Sequence, residues 1–156
     1  MKQREPRTGQ ELESAAVHVN YEITMLHIAL KLSCGEPQND FDAARKNCYL
    51  ESFVLHFRNL VDFLYEPRNA KPDDILAIDF FPDPNAWKTI RPAKTAEILD
   101  AETRVNKLAV HLTYDRQVLP PNWGTSKLYS DLEPALRSFQ KNLLYERKDW
   151  FPSLRS

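Results

Sequence analysis

The chain has 156 residues, 42% of them hydrophobic and 28% charged, with a formal net charge of −1. That length suits one domain able to bury a core, and the near-zero charge excludes a general basic field for nucleic acid, so any RNA contact has to be local. No apolar run approaches the roughly 20 residues of a membrane span, MKQREPRTGQELE lacks the apolar segment of a signal peptide, and Cys34 and Cys48 support neither a disulfide framework nor a four-ligand metal site. The expectation is a cytoplasmic protein with no membrane contact, no cofactor and reduced cysteines.

Only three glycines occur, and the eleven prolines fall almost entirely between periodic segments. That pattern suits long helices and not hairpins. The first helix is expected over about 9–33, where Leu12, Ala16, Val19, Ile23, Leu26 and Leu30 make the narrow seam of a bundle helix. Gly35 and Pro37 stop it. The second is expected from Asp40, a good N-cap, to Tyr65, with Phe53, Phe57, Leu60 and Leu64 inward and Leu50, Val54 and Val61 widening the stripe. EPRNAKP breaks it. PDDILAIDFF reads as one short helix within 73–81, with Asp73 or Asp74 over its positive end, and FPDPNAW (81–87) as rigid loop. The third long helix is expected over 94–117, with Ile98, Ala101, Val105, Leu108 and Leu112 inward. The fourth is expected over 125–147, with Leu128, Leu132, Leu136, Phe139 and Leu143 inward and a kink or split at Pro134. Trp150 and Phe151 are expected to staple the tail onto the bundle. The result is a single all-α domain, a four-helix up-and-down bundle over about 10–147 with tails at 1–8 and 148–156. The connection between its second and third helices is long and contains a short helix, and loops of that length tend to be functional or to cover something.

Two polar rows interrupt the apolar stripes. On the third helix Arg104, Leu108, His111 and Asp115 share one side, because seven residues return to within about 20° of the start. On the second, Glu51, Leu55, Arg58 and Asp62 do the same, flanked by Asn47 and Asn59. Charge rows on helices also belong to solvated faces with ordinary edge ion pairs, and both readings stay open here. Arg104, set among apolar rows, is expected within salt-bridge reach of Glu51 or Asp62. A histidine moves protons near neutral pH and an arginine clamps phosphate, so Arg104 and His111 together suit phosphodiester cleavage without a metal. A two-fold dimer would supply the second acid–base group by placing two such stripes face to face.

Arg104 followed by VNKLAV and then His111, on the third long helix of a bundle, resembles the HEPN superfamily of small all-α domains found in bacterial RNase toxins and defence proteins. The resemblance implies a HEPN-like bundle and a metal-independent endoribonuclease acting on RNA. It also implies Arg104 and His111 as catalytic residues, a homodimer, and a cognate antitoxin or defence protein as partner. Glu51 and Arg58 match the acidic and basic positions of the family's second helix. Val105 stands where members often carry Asn, with Asn106 one residue later. Thr113 stands where some members carry a modified tyrosine, with Tyr114 one residue later, so that regulation is not carried over. Asn59, Asn106, Tyr114 and Asp115 are the further supporting candidates. The second function reading is a non-catalytic interaction module, or a nucleotide- or RNA-contacting one, on the same bundle.

Other chemistries find little support. His18 and His27 lie nine residues apart on one helix and so on nearly opposite sides. His56 and His111 lack further ligands, and no paired Glu-x-x-His sequences, Gly-rich phosphate loop or nucleophile elbow occur. Trp87 and Trp123 beside prolines are expected to anchor loops, with base stacking as the alternative. Asp73, Asp74, Asp79 and Asp83 are expected to serve capping and solvation.

Overall fold

The computed structural model describes residues 5–105, 114 and 123–154. The described residues are helical or irregular, with no strand among them. Helix α1 (Gly9–Leu32) opens with a capping box: the Glu11 amide donates to Thr8 Oγ1 at 3.2 Å, and the Thr8 amide donates to Glu11 Oε2 at 2.8 Å. These bonds hold the Glu11 carboxyl below its ordinary range. Helix α2 (Asp40–Tyr65) is capped by Asn39, whose side chain accepts from the Asp42 amide at 2.9 Å. The cap is therefore Asn39 and not Asp40, which is the first helical residue. Helices α1 and α2 form the main helix pair, and Glu22 of α1 meets His56 and Asn59 of α2. Their inward seams are as expected, except that Leu30 and Leu50 are only half-buried.

The connection after α2 departs from expectation. The short helix expected within 73–81 is present, but as a 3-10 helix, Ala77–Phe80, at whose start the Leu76 amide donates to Asp79 Oδ2 at 3.2 Å. The segment expected to be loop, 81–87, contains the start of a helix, α3 (Pro84–Ile90). Asp83 accepts from the Asn85 amide at 2.9 Å and Pro84 occupies the first turn, where its missing N–H costs nothing. The prolines of this segment start a helix instead of preventing one. Asp74, expected over the positive end of the short helix, instead closes a turn ahead of it: the Lys71 amide donates to its carboxylate at 2.6 Å and its own amide donates to the Lys71 carbonyl at 3.2 Å.

Helix α4 (Ala96–Val105) buries Ile98, Ala101 and Val105; its expected course to 117, with Leu108 and Leu112, lies outside the described residues. Helix α5 (Thr125–Asn142) is not split at Pro134, which sits on its exposed side, and it ends before the expected 147. A 3-10 stretch over 145–150 follows.

One aromatic cluster joins these parts. Phe139 of α5 stands edge-on to Phe63, Phe80, Phe81, Trp87 and Phe151, at centroid distances of 5.1–5.9 Å. The long connection thus covers one end of the core with Phe80, Phe81 and Trp87. The tail closes it with Phe151, and Trp150 is half-buried against it. Both expected staples are in place. No helix among the described residues is long and apolar enough to cross a membrane.

Candidate functional site

Arg104 lies in the last turn of α4 and is half-buried. Its Nη1 reaches Asp100 Oδ2, one turn earlier, at 3.3 Å. Its guanidinium stands over the Trp123 ring, 4.6 Å from the centroid. Trp123 is buried just before α5, and Gly124 follows in the left-handed region at φ 54°. A residue with a Cβ pays a conformational penalty there, so glycine suits the turn that presents the indole to α4. Arg104, Asp100, Trp123 and Lys127 line an open cleft of about 610 Å³ between α4 and α5. Lys127 is exposed and pairs with Asp131, which raises its pKa.

The α2 row does not join this cleft. Arg104 is paired with neither Glu51 nor Asp62; among the described residues it meets the carboxylate of Asp100. An i, i+4 pair on one helix needs no register between helices, and the indole draws the guanidinium toward α5. Glu51 is exposed, with no ion pair among the described residues. Arg58 faces Asp62 at 3.9 Å, and burial pushes the Asp62 carboxyl up while Arg58 opposes that. Asn59 donates to Glu22 at 3.0 Å, on the α1 side of α2. Tyr114 is exposed. His111, Asn106 and Asp115 lie outside the described residues. Of the expected site residues, then, Arg104 alone is seen in the cleft.

Sequence reasoning missed three polar clusters. His56 is buried between α1 and α2, with Nδ1 2.7 Å from Glu22 Oε2 and its ring edge-on to Tyr21. Its position beside Phe53, Phe57 and Leu60 was the available signal, because a histidine next to an apolar stripe needs a polar partner. At the end of α2, the Leu64 carbonyl accepts from Trp87 Nε1 at 2.8 Å and Arg91 Nη1 at 3.1 Å. There Glu66, at φ 57°, pairs with Lys88 and Arg91. Two side chains thus cap orphan carbonyl density at the helix end and tie α3 to α2.

The third cluster joins α1 to α5. His27 Nε2 is hydrogen-bonded to Tyr129 Oη at 3.0 Å. Burial lowers the His27 pKa, Lys31 lowers it further and Glu133 opposes them. The folded state therefore resists a proton that the unfolded chain accepts near pH 6.5, so stability present above that pH is lost as pH falls below it. Thermal unfolding is expected to show a falling Tm from pH 7 toward pH 5.5, with a shallower fall in His27→Gln. Equal slopes in the two proteins would remove His27 as the cause.

No group of three or more His, Cys, Asp or Glu side chains that could hold a metal occurs among the described residues. Cys34 and Cys48 are free and exposed. Comparison of the chain with protein-family models, with curated proteins and with solved structures finds no match.

Proposed function

We propose that the chain is a HEPN-like helical bundle working as a non-catalytic interaction module. The observation that carries this reading is the engagement of Arg104: paired to Asp100 and laid on Trp123, it pins the start of α5 to α4. Stacking on a buried indole gives the arginine a packing role of its own, one that needs no phosphate. The separation of Glu51, Arg58 and Asn59 from the cleft supports the same reading.

A metal-independent endoribonuclease of a toxin or defence system is the second reading. The open cleft beside Arg104 and Lys127 favours it, since a phosphate can approach both cations there. His111 would then move a proton at the 2′-hydroxyl or the leaving oxygen, and a symmetric dimer would bring two such histidines together. RNA substrate and a cognate antitoxin belong to this reading. One assay separates the two: the purified protein incubated with single-stranded and transfer RNA, with and without chelator, beside His111→Ala. The module reading expects intact RNA. Cleavage that survives chelator, leaves a 2′,3′-cyclic phosphate and disappears in His111→Ala would replace it with the nuclease.

A further inference from the structure

The outer side of α1 carries a row of large apolar residues in solvent. Val17 is 65% exposed, Tyr21 57%, Ile28 43% and Leu32 47%. Helical geometry puts these on one side of α1, opposite the seam of Leu12, Ala16, Val19, Ile23 and Leu26. Thr24 and Met25 lie at the middle of the row, and no charged residue interrupts it. Scattered surface leucines need no explanation, but an uncharged row four turns long on one helix marks a contact surface.

We infer that this face binds a second copy of the same chain, with α1 against α1 in antiparallel sense about a two-fold axis passing by Thr24 and Met25. Two observations favour a second copy over another partner. The spacing of the four residues, Val17, Tyr21, Ile28 and Leu32, is four, seven and four, and so reads the same from either end. Reversal about the midpoint places Val17 on Leu32 of the other copy and Tyr21 on its Ile28, apolar against apolar throughout, as an isologous interface requires. The area is also of the right order. The four side chains expose roughly 400 Å² together, close to the apolar share of a standard interface burying about 800 Å² per partner. Being at the small end, the dimer is expected to dissociate on dilution.

This interface is independent of whether the Arg104 cleft acts on RNA. It also differs from the dimer expected through the Arg104–His111 stripes, so the two are separable by experiment. Sedimentation of the full chain from about 1 µM to about 1 mM is expected to show a concentration-dependent monomer–dimer equilibrium. Ile28→Lys and Tyr21→Glu, placed on exposed positions and checked by circular dichroism for retained helix, are each expected to leave only monomer. In a chain with Cys34→Ser and Cys48→Ser, Thr24→Cys is expected to form a disulfide-linked dimer under mild oxidation, while Glu51→Cys on α2 forms none. A wild-type chain that stays monomeric over the whole range overturns the inference. So does a dimer that persists in Ile28→Lys, or one that cross-links at position 51 and not at 24.

Discussion

Trp87→Ala is expected to lower the unfolding free energy by about 3–5 kcal/mol, a large part of the roughly 5–15 kcal/mol typical of a domain. Trp87 is fully buried, stacks on Phe81 at 5.6 Å and stands perpendicular to Phe139 at 5.7 Å. Its loss opens a cavity in the aromatic cluster and removes one of the ties between α3 and the end of α2. Trp87→Phe separates packing from hydrogen bonding. It keeps a ring in the cluster but removes the Nε1 donor to the Leu64 carbonyl. Arg91 still donates to that carbonyl, so about 1 kcal/mol is expected for the missing bond. Urea unfolding monitored by circular dichroism reads both values. A Trp87→Ala midpoint equal to wild type would mean that the α3 end of the core carries no stability.

Trp87 also shows where sequence reading stopped. The seams of α1, α2 and α5 were legible because one repeated spacing places every inward residue, and nearly all of them are buried. The start of α3 was not, because a seven-residue helix is too short to show a period; its signal lay in Asp83 and Pro84, which resemble turn residues until the first-turn role of proline is weighed. The candidate site was legible only as far as single helices go. Spacing gave Arg104 and His111 one side of an expected helix, of which the described part ends at Val105. The partner of Arg104 does not follow from spacing, because rotation of α4 against α2 and α5 decides whether the guanidinium meets Glu51, Asp62 or Trp123. His56 and Glu22 were hidden for the same reason: 34 residues separate them, and only the pairing of α1 with α2 brings them together.

Phe151→Ala is the second substitution expected to cost about 3–5 kcal/mol. Phe151 is fully buried although it lies in a short irregular segment, with its ring edge-on to Phe80 at 5.3 Å and to Phe139 at 5.1 Å. Hydrogen bonds also tie this segment down: Asn20 of α1 donates to the Trp150 carbonyl, the Ser153 amide donates back to Asn20 Oδ1 at 3.3 Å, Ser153 Oγ meets Thr24 Oγ1 at 2.9 Å, and Arg147 Nη1 donates to the Phe80 carbonyl at 2.7 Å. The ring supplies the apolar part of the attachment, burying itself between Phe80 and Phe139. Phe151→Ala is expected to raise protease sensitivity in 145–154 as well as lower Tm. A lowered Tm without new cleavage there would mean that the hydrogen bonds hold the segment alone.

The bond from Asn20 to the Trp150 carbonyl spans 130 residues of chain. Closing so large a loop has a high entropic cost, and that cost is recovered only once the helices between are already in place. The α1–α2 pair can assemble from near neighbours in sequence; the 145–154 segment has to wait for them. In native-state hydrogen exchange the amides of this segment are accordingly expected to open first, at a free energy below that of global unfolding, while the amides of the α1–α2 pair exchange last. The molecule then has a weak latch and a strong hinge pair, and release of the latch uncovers Phe80 and Phe139 before any long helix is lost.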